Sequence, residues 1–338
     1  MTTIQTTPAQ DIFAPIEQDL DRVVEVITQL SIEEIERCPA GIDALETLDE
    51  RLTHVMSTPG KKMRPAMTLL ASKLWGAVPD EKMISMAVAV ELLHIAALIH
   101  DDTVDDADVR RGKATAGFLW GNNFAVLLGD YVFATSAKFV CATGSVRLIS
   151  RFAETIAELA RGELHEMVSN WNLPVTVDEY FARIYDKTAS LFSTSAESGA
   201  VLGSADEDAV NALREYGYYL GMAYQVKDDV LDYESTTDEL GKPANQDILS
   251  GKLTLPAIYA SENPDCAAAI EGFFNLSENE REAALGELLD TIRHNGGVER
   301  AEATTSEFID TALKRLEVAP PSVSRDSLAS IASRVNSM

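Results

Sequence analysis

The sequence is poor in cysteine and in basic side chains, and each shortage narrows what the chain can be. Cys makes up only 3 of the 338 residues, and Cys38, Cys141 and Cys266 stand far apart without a CxxC pair. Neither a disulfide framework nor a thiolate zinc site fits that spacing, and a reducing cytoplasmic setting is the expectation. Lys and Arg number 28 against 54 Asp and Glu, a formal net charge of -26. Such a surface repels phosphate polyanions, so nucleic acid is not an expected partner. Long apolar runs are missing too. The most apolar stretch, Met83 to Ile99, is interrupted by Glu91 and His94; it reads as too short and too polar to span a bilayer. The opening MTTIQTTPAQDIF lacks the basic and apolar segments of a secretory signal.

What remains is a profile of 46% apolar and 24% charged residues with 19 Gly and 12 Pro, which fits a globular chain with a substantial core. A protein this acidic that handles a phosphorylated ligand must recruit metal cations, concentrate its few basic side chains, or do both.

The apolar pattern is helical almost throughout. Ile16, Leu20, Val23, Ile27 and Leu30 share one helical face, and Leu45, Leu48, Leu52 and Val55 repeat the signature. Helix-period runs then cover roughly 64–76, 81–106, 122–142, 145–168, 178–202, 206–234, 253–261, 277–294 and 298–317, with a short helix from about Asp326. Ser277 with Glu280 predicts a capping box, and Asn295-Gly296-Gly297 a stop. Alternating strands are not expected anywhere. The expectation is one all-α domain over 11–338, a single large bundle of about a dozen helices, with residues 1–10 flexible.

Two aspartate clusters carry the chemistry. Asp101 and Asp105, with Asp102 beside the first, lie in LIHDDTVDD; residues four apart sit about 40° apart around a helix and about 6 Å along it. Like charges so placed repel, and cations relieve that repulsion; Mg²⁺ prefers carboxylates completed by substrate phosphates. A single copy in an acidic chain is equally a solvated face. Asp228, Asp229 and Asp232 in YQVKDDVLD repeat the spacing after another apolar run. Two such clusters facing each other predict a diphosphate held through Mg²⁺. Basic residues fall nearby: Arg110 and Arg111 after the first cluster, Lys61, Lys62 and Arg64 in STPGKKMRP, Lys187 beside Thr188, and Lys242 and Lys252 bracketing the loop after the second. Arg offers bidentate phosphate contacts and Lys a point charge.

In order along the chain, GKKMRP (Gly60 to Pro65), LLHIAALIHDDTVDDADVRRG (Leu92 to Gly112), GDY (Gly129 to Tyr131), GE (Gly162-Glu163), KTA (Lys187 to Ala189), YQVKDDVLD (Tyr224 to Asp232), and GKPANQD with GKLTLP (Gly241 to Pro256) resemble the motifs of trans-isoprenyl diphosphate synthases, the polyprenyl synthetase family. The resemblance implies the isoprenoid synthase fold, helices around a central cavity. It also implies Mg²⁺-dependent, head-to-tail condensation of isopentenyl diphosphate with an allylic diphosphate. Asp101, Asp105 and Asp228, with Asp102, Asp229 and Asp232 in support, would hold three Mg²⁺ around the allylic diphosphate. Arg110, Lys187, Lys252 and Lys242 would grip that diphosphate, and Lys61, Arg64, His94 and Arg111 would hold isopentenyl diphosphate. Thr188 and Gln225 would turn oxygen dipoles toward the allylic cation, and Tyr224 a ring face. Ionisation of the C–O bond, attack by the isopentenyl double bond and proton loss to the released diphosphate complete the expected chemistry.

Some residues depart from the family pattern: Lys62 stands where Arg is frequent, Ala114 for Pro, Glu166 for Gln and Asn245 for Gly. Ala97 and Ala96, four and five residues before the first aspartate, would leave the product tunnel open and favour a C35–C50 chain, a quinone side-chain precursor; a C15 or C20 product is the alternative. A cyclase or head-to-head synthase is disfavoured by the isopentenyl diphosphate residues. A non-catalytic partner subunit is disfavoured by the retained aspartates, and a purely structural acidic bundle leaves the ordered motifs unexplained. The family resemblance further implies a homodimer, with transient membrane contact for release of a water-insoluble product.

Overall fold

The helix that organises the rest begins at Asp80, whose carboxylate accepts the backbone N–H of Lys82 and Met83, each at 3.0 Å, satisfying donors that the first helical turn leaves without a partner. It runs over Glu81–Val104 and is buried around most of its circumference, as expected of a helix that is apolar on nearly every face. The computed structural model describes residues 12–37, 50–57, 60–234 and 245–337. In chain order its principal helices are α1 (Glu17–Arg37), α2 (Met63–Lys73), α3 (Glu81–Val104), α4 (Asn122–Ala142), α5 (Val146–Ser169), α6 (Val177–Ile184), α7 (Ser190–Leu202), α8 (Glu207–Glu234), α9 (Leu255–Ala260), α10 (Pro264–Phe274), α11 (Glu278–His294), α12 (Gly297–Arg315) and α13 (Val323–Val335). Residues 50–56 are also helical. Helix α3 packs on α4 and α2, and α8 packs on α7 and α12. The all-α architecture is therefore present.

Two apolar clusters flank the site. The larger joins α1, α2, α3, α4, α7, α8, α12 and α13 around Leu69, Leu92, Phe192 and Leu220. The other joins α8 to α9, α10 and α12 around Val226, Leu255 and Ala301. The capping box forms as expected: Glu280 accepts from both the backbone N–H and the hydroxyl of Ser277, at 2.9 and 2.6 Å. Gly296, with φ of 70°, stands between α11 and α12.

Several details differ from the sequence expectation. Helix α10 is missing from the expected runs although Cys266, Ile270 and Phe273 form its buried stripe; Asn263, which caps it, ahead of Pro264 at its first position, is a further signal. The last helix begins at Val323, capped by Ser322, rather than at Asp326. The run over 178–202 is broken by a π-turn, Tyr185–Ala189, between α6 and α7. The bilayer argument also changes: α3 and α4 are both long and apolar enough to cross a membrane, although 72% of the apolar window of α3 is buried in protein. Finally, two strands do occur. Val109–Arg110 (β1) and Lys113–Ala114 (β2) pair antiparallel, joined by Arg111 and Gly112 with φ of 50° and 77°. A two-residue hairpin turn with both central residues left-handed matches strand twist, and Gly at its second position suits it. Leu45, Leu48, Lys242 and residues 1–10 lie outside the described residues.

Candidate active site

The first aspartate cluster ends α3. Asp101 is pushed up to about 7 by burial, with Glu163 and Asp105 adding to the rise and Lys187 and Arg110 opposing it. Asp102, also raised by burial, is ion-paired to Arg110 Nε. The chain reverses between α3 and β1, where Asp106 has φ of 47° and Ala107 N–H donates to Asp102 O at 2.9 Å, so Arg110 faces the aspartates it follows.

The π-turn supplies the next groups. Its defining bond runs from Ser190 N–H to Tyr185 O, five residues back, a geometry that concentrates at functional sites. Two contacts fasten it to α5. Arg161 donates to both oxygens of Asp186 at 2.7 and 2.6 Å. Gly162 lies so close that a Cβ there would stand 2.6 Å from the Lys187 nitrogen. Lys187 Nζ then sits 2.9 Å from Glu163 and 2.7 Å from Glu166. Lys252 reaches the same Glu166 at 2.8 Å and Asp105 at 3.5 Å. Burial would raise the Glu166 carboxyl, but Lys187 and Lys252 together bring it down to about 2. Thus Glu166, a departure from Gln in the sequence, bridges two of the expected diphosphate-binding lysines. Glu163 is visible in the sequence only as part of a GE pair, which does not reveal it as a partner of Lys187 and neighbour of Asp101.

Beside Lys187, Thr188 turns the opposite way. Its hydroxyl donates to Gln225 Oε1 at 2.7 Å, and Gln225 Nε2 donates to Asp229 Oδ1 at 2.8 Å. Asp229 accepts a second bond, at 2.6 Å, from the Tyr180 hydroxyl. Burial, Asp247 and Asp228 push Asp229 up to about 8, while Tyr180 and Gln225 pull it down. Asp232 accepts the backbone N–H of Asn245 at 3.0 Å, and Asp228 is half-buried. The two clusters differ in their partners: Asp229 and Asp232 are engaged by neutral donors, Asp102 and Asp105 by the cations Arg110 and Lys252.

A cavity opens between α3, His54, Val55, Gly60 and the hairpin, lined also by Glu91, His94, Asp102, Arg110 and Arg111. His94 is held well below its ordinary value by burial and by the surrounding Arg64, Arg111, Arg110 and Lys62, so its imidazole is neutral near pH 7. Arg64 is lowered to about 10 by burial, against the pull of Glu91; it remains a cation, stacked 4.5 Å above the Phe192 ring. Lys62, not Lys61, points inward, 2.9 Å from Glu91; Lys61 is exposed. Of the two alanines below Asp101, Ala97 is half-buried and Ala96 is fully packed. His100 faces α4, 3.2 Å from the Val126 carbonyl. Tyr224 lies against Phe192, ring centres 5.6 Å apart.

Among the described residues no three His, Cys, Asp or Glu side chains form a ready-made metal site. The donor set nevertheless fits a hard divalent cation. Asp101 is buried against Glu163 and Asp105 with its charge disfavoured, the situation a cation completed by phosphate oxygens relieves.

The polyprenyl synthetase family model matches residues 45–292. The chain is 35% identical to heptaprenyl diphosphate synthase component 2 of Geobacillus stearothermophilus, over 95% of this chain and 94% of that protein. The crystal structure of heptaprenyl diphosphate synthase from Staphylococcus aureus superposes with a TM-score of 0.86 at 30% identity, covering 96% of this chain and 98% of that one. A polyprenyl synthase from Caulobacter crescentus, solved with calcium and isoprenyl diphosphate, gives a TM-score of 0.84 at 31% identity, covering 97% of each chain. The chain belongs to the polyprenyl synthetase family, and it is a prenyltransferase with the isoprenoid synthase fold.

Proposed function

We propose that the protein elongates an allylic diphosphate with isopentenyl diphosphate in a Mg²⁺-dependent, head-to-tail reaction, and that its all-trans product is long, in the C35–C50 range. The observation that carries this reading is the π-turn. It sets Lys187 against the first aspartate cluster and Thr188 against the glutamine one helical turn before Asp229 in the second. A diphosphate placed between the clusters is met by Lys187, Lys252 and Arg110. Three Mg²⁺ bound by Asp101, Asp105 and Asp228, with Asp102, Asp229 and Asp232 in support, would neutralise the leaving diphosphate. Lys242 would join the same grip.

The second substrate belongs in the cavity beside α3. Arg64 and Arg111 supply charge to its diphosphate, and neutral His94 supplies a hydrogen bond without adding to the crowding of cations. Lys61 would close over it from the loop. Burial of Arg64 and His94 strengthens their contacts relative to water. Thr188 and Gln225 present oxygens to the positive charge that develops at the allylic C1.

The long product rests on Ala97, a small side chain on the Asp101 face of α3, and on similarity to a protein named for a heptaprenyl product. A homodimer is supported by exposed apolar side chains on α4 and α5: Leu127, Leu164, Met167 and Val168 are 57–71% exposed, and exposed apolar surface of this kind marks interaction sites where it is contiguous. The same side chains favour brief membrane contact during product release from the cytoplasm. The named relative is one component of a synthase, so a second, unlike subunit is the alternative occupant.

The test is direct. Purified protein with Mg²⁺, labelled isopentenyl diphosphate and C10, C15 or C20 primers should yield products of C35 or longer after dephosphorylation and sizing. A stop at C15 or C20 would overturn the chain-length reading alone. No elongation with any primer would overturn catalysis by this chain on its own.

A further inference from the structure

The hydrogen bonds around Asp229 form a chain in which Tyr180 and Gln225 donate to its two carboxyl oxygens and Thr188 donates to Gln225. Tyr180 is wholly buried, and its hydroxyl donates to Asp229 Oδ2 at 2.6 Å. The carboxylate accepts on its other oxygen from Gln225 Nε2 at 2.8 Å. An amide whose nitrogen is committed in this way must present its oxygen at the opposite end. That oxygen accepts the Thr188 hydroxyl proton at 2.7 Å. The Thr188 proton is therefore spent inside the protein, and the lone pairs of Thr188 and Gln225 are what remain for a ligand.

We infer that Tyr180 is a positioning residue for the condensation: by anchoring Asp229 it fixes the amide of Gln225 and the hydroxyl of Thr188, and with them the oxygens offered to the allylic diphosphate. The inference rests on the proposed reading of the site, in which those two oxygens face the allylic cation. Tyr180 belongs to α6 and Thr188 to the π-turn eight residues later, whereas Gln225 and Asp229 stand one turn apart on α8. The relay thus stitches both ends of the π-turn's approach to the helix that carries the second aspartate cluster. Without the phenol, Asp229 Oδ2 loses its buried donor and the carboxylate is free to rotate. The Gln225 amide then has two orientations available, one of which points N–H groups where a cation must form. Dipoles preset for developing charge need no reorganisation during the reaction, so loss of their orientation affects the chemical step more than binding.

Tyr180→Phe keeps the ring and removes only the hydroxyl. The expected result is a fall in kcat of about tenfold or more, with KM for both diphosphates changed by less than about threefold. Thr188→Val should act in the same sense, and the double variant should be no more than about twofold worse than the slower single one, because both break one chain. An unchanged kcat in Tyr180→Phe, even with a lowered melting temperature, would overturn the inference. So would multiplicative effects in the double variant, or a change confined to KM. Wild-type turnover measured alongside separates the two levels: an inactive wild type defeats the functional reading and the relay with it, whereas an active wild type with an equally active Tyr180→Phe defeats the relay alone.

Discussion

Replacing Glu166 by Gln tests the electrostatics of the site most sharply. The folded carboxyl titrates at about 2 against an ordinary value of 4.5, and every tenfold difference in proton affinity corresponds to about 1.4 kcal/mol. A depressed value means that the unfolded chain binds more protons between the two values. The stabilisation is complete above 4.5 and is lost as pH falls through 2. At pH 7 it amounts to about 3 kcal/mol, declining to about 2 kcal/mol by pH 3.5. At roughly 2.1 cal/mol/K per residue, the unfolding entropy of this chain is about 0.7 kcal/mol/K, so the variant should melt about 4–5 °C lower at neutral pH. The gap should narrow as the buffer is acidified, which calorimetry from pH 7 to 3.5 would follow. Activity should move the other way: with Glu166 neutral, Lys187 keeps only Glu163 and Lys252 only Asp105 as ion-pair partners, so both meet a diphosphate more readily and KM for the allylic substrate should fall. A melting temperature equal to wild type at pH 7, or a gap that widens toward pH 3.5, would refute the reasoning.

Three further outcomes follow from the same geometry. Gly162→Ala puts a Cβ 2.6 Å from the Lys187 nitrogen; it should cost about 1–3 kcal/mol of stability and lower kcat/KM by on the order of tenfold or more, read by thermal melting and steady-state rates. In Mg²⁺-free buffer stability should fall as pH rises from 3.8 to about 7, because Asp101 is raised in the fold and must lose its proton there. Added Mg²⁺ should therefore raise the melting temperature more at pH 8 than at pH 5.5, and equal shifts would contradict this. Ala97→Phe should shorten the product by chromatographic sizing, whereas Phe at fully packed Ala96 should chiefly destabilise the fold.

Much of this is legible in the sequence, and the failures have physical causes. The aspartate helices can be placed because a four-residue spacing at the end of an apolar run is a local pattern. Lys187 stands out as well, but not its partners: Glu163 and Glu166 lie more than twenty residues earlier on α5, and only packing brings them together. Tyr180 gives no signal, since its partner Asp229 is 49 residues away and a lone Tyr on an apolar helix face reads as core. The hairpin at 109–114 is hidden because two-residue strands are too short to show alternation, although Arg111-Gly112 is a recognisable turn pair. Helix α10 is legible in principle, because Cys266, Ile270 and Phe273 fall at helical spacing, but at eleven residues its stripe has only three members.

The π-turn over Tyr185–Ala189 also makes the chain intolerant of a change in length at that point. A π-turn amounts to one residue more than an ordinary helical turn holds, and each residue of a helix advances its faces by about 100°. The helix before the turn and the helix after it are therefore out of phase, and the wall built by α7 is set by that offset. Excising a single residue there would restore an unbroken helix of good local geometry. It would also rotate everything from Ser190 onward away from α2 and α8, or else drag Lys187 and Thr188 off their partners. Length variation among related chains should accordingly gather in the surface connections and spare this segment.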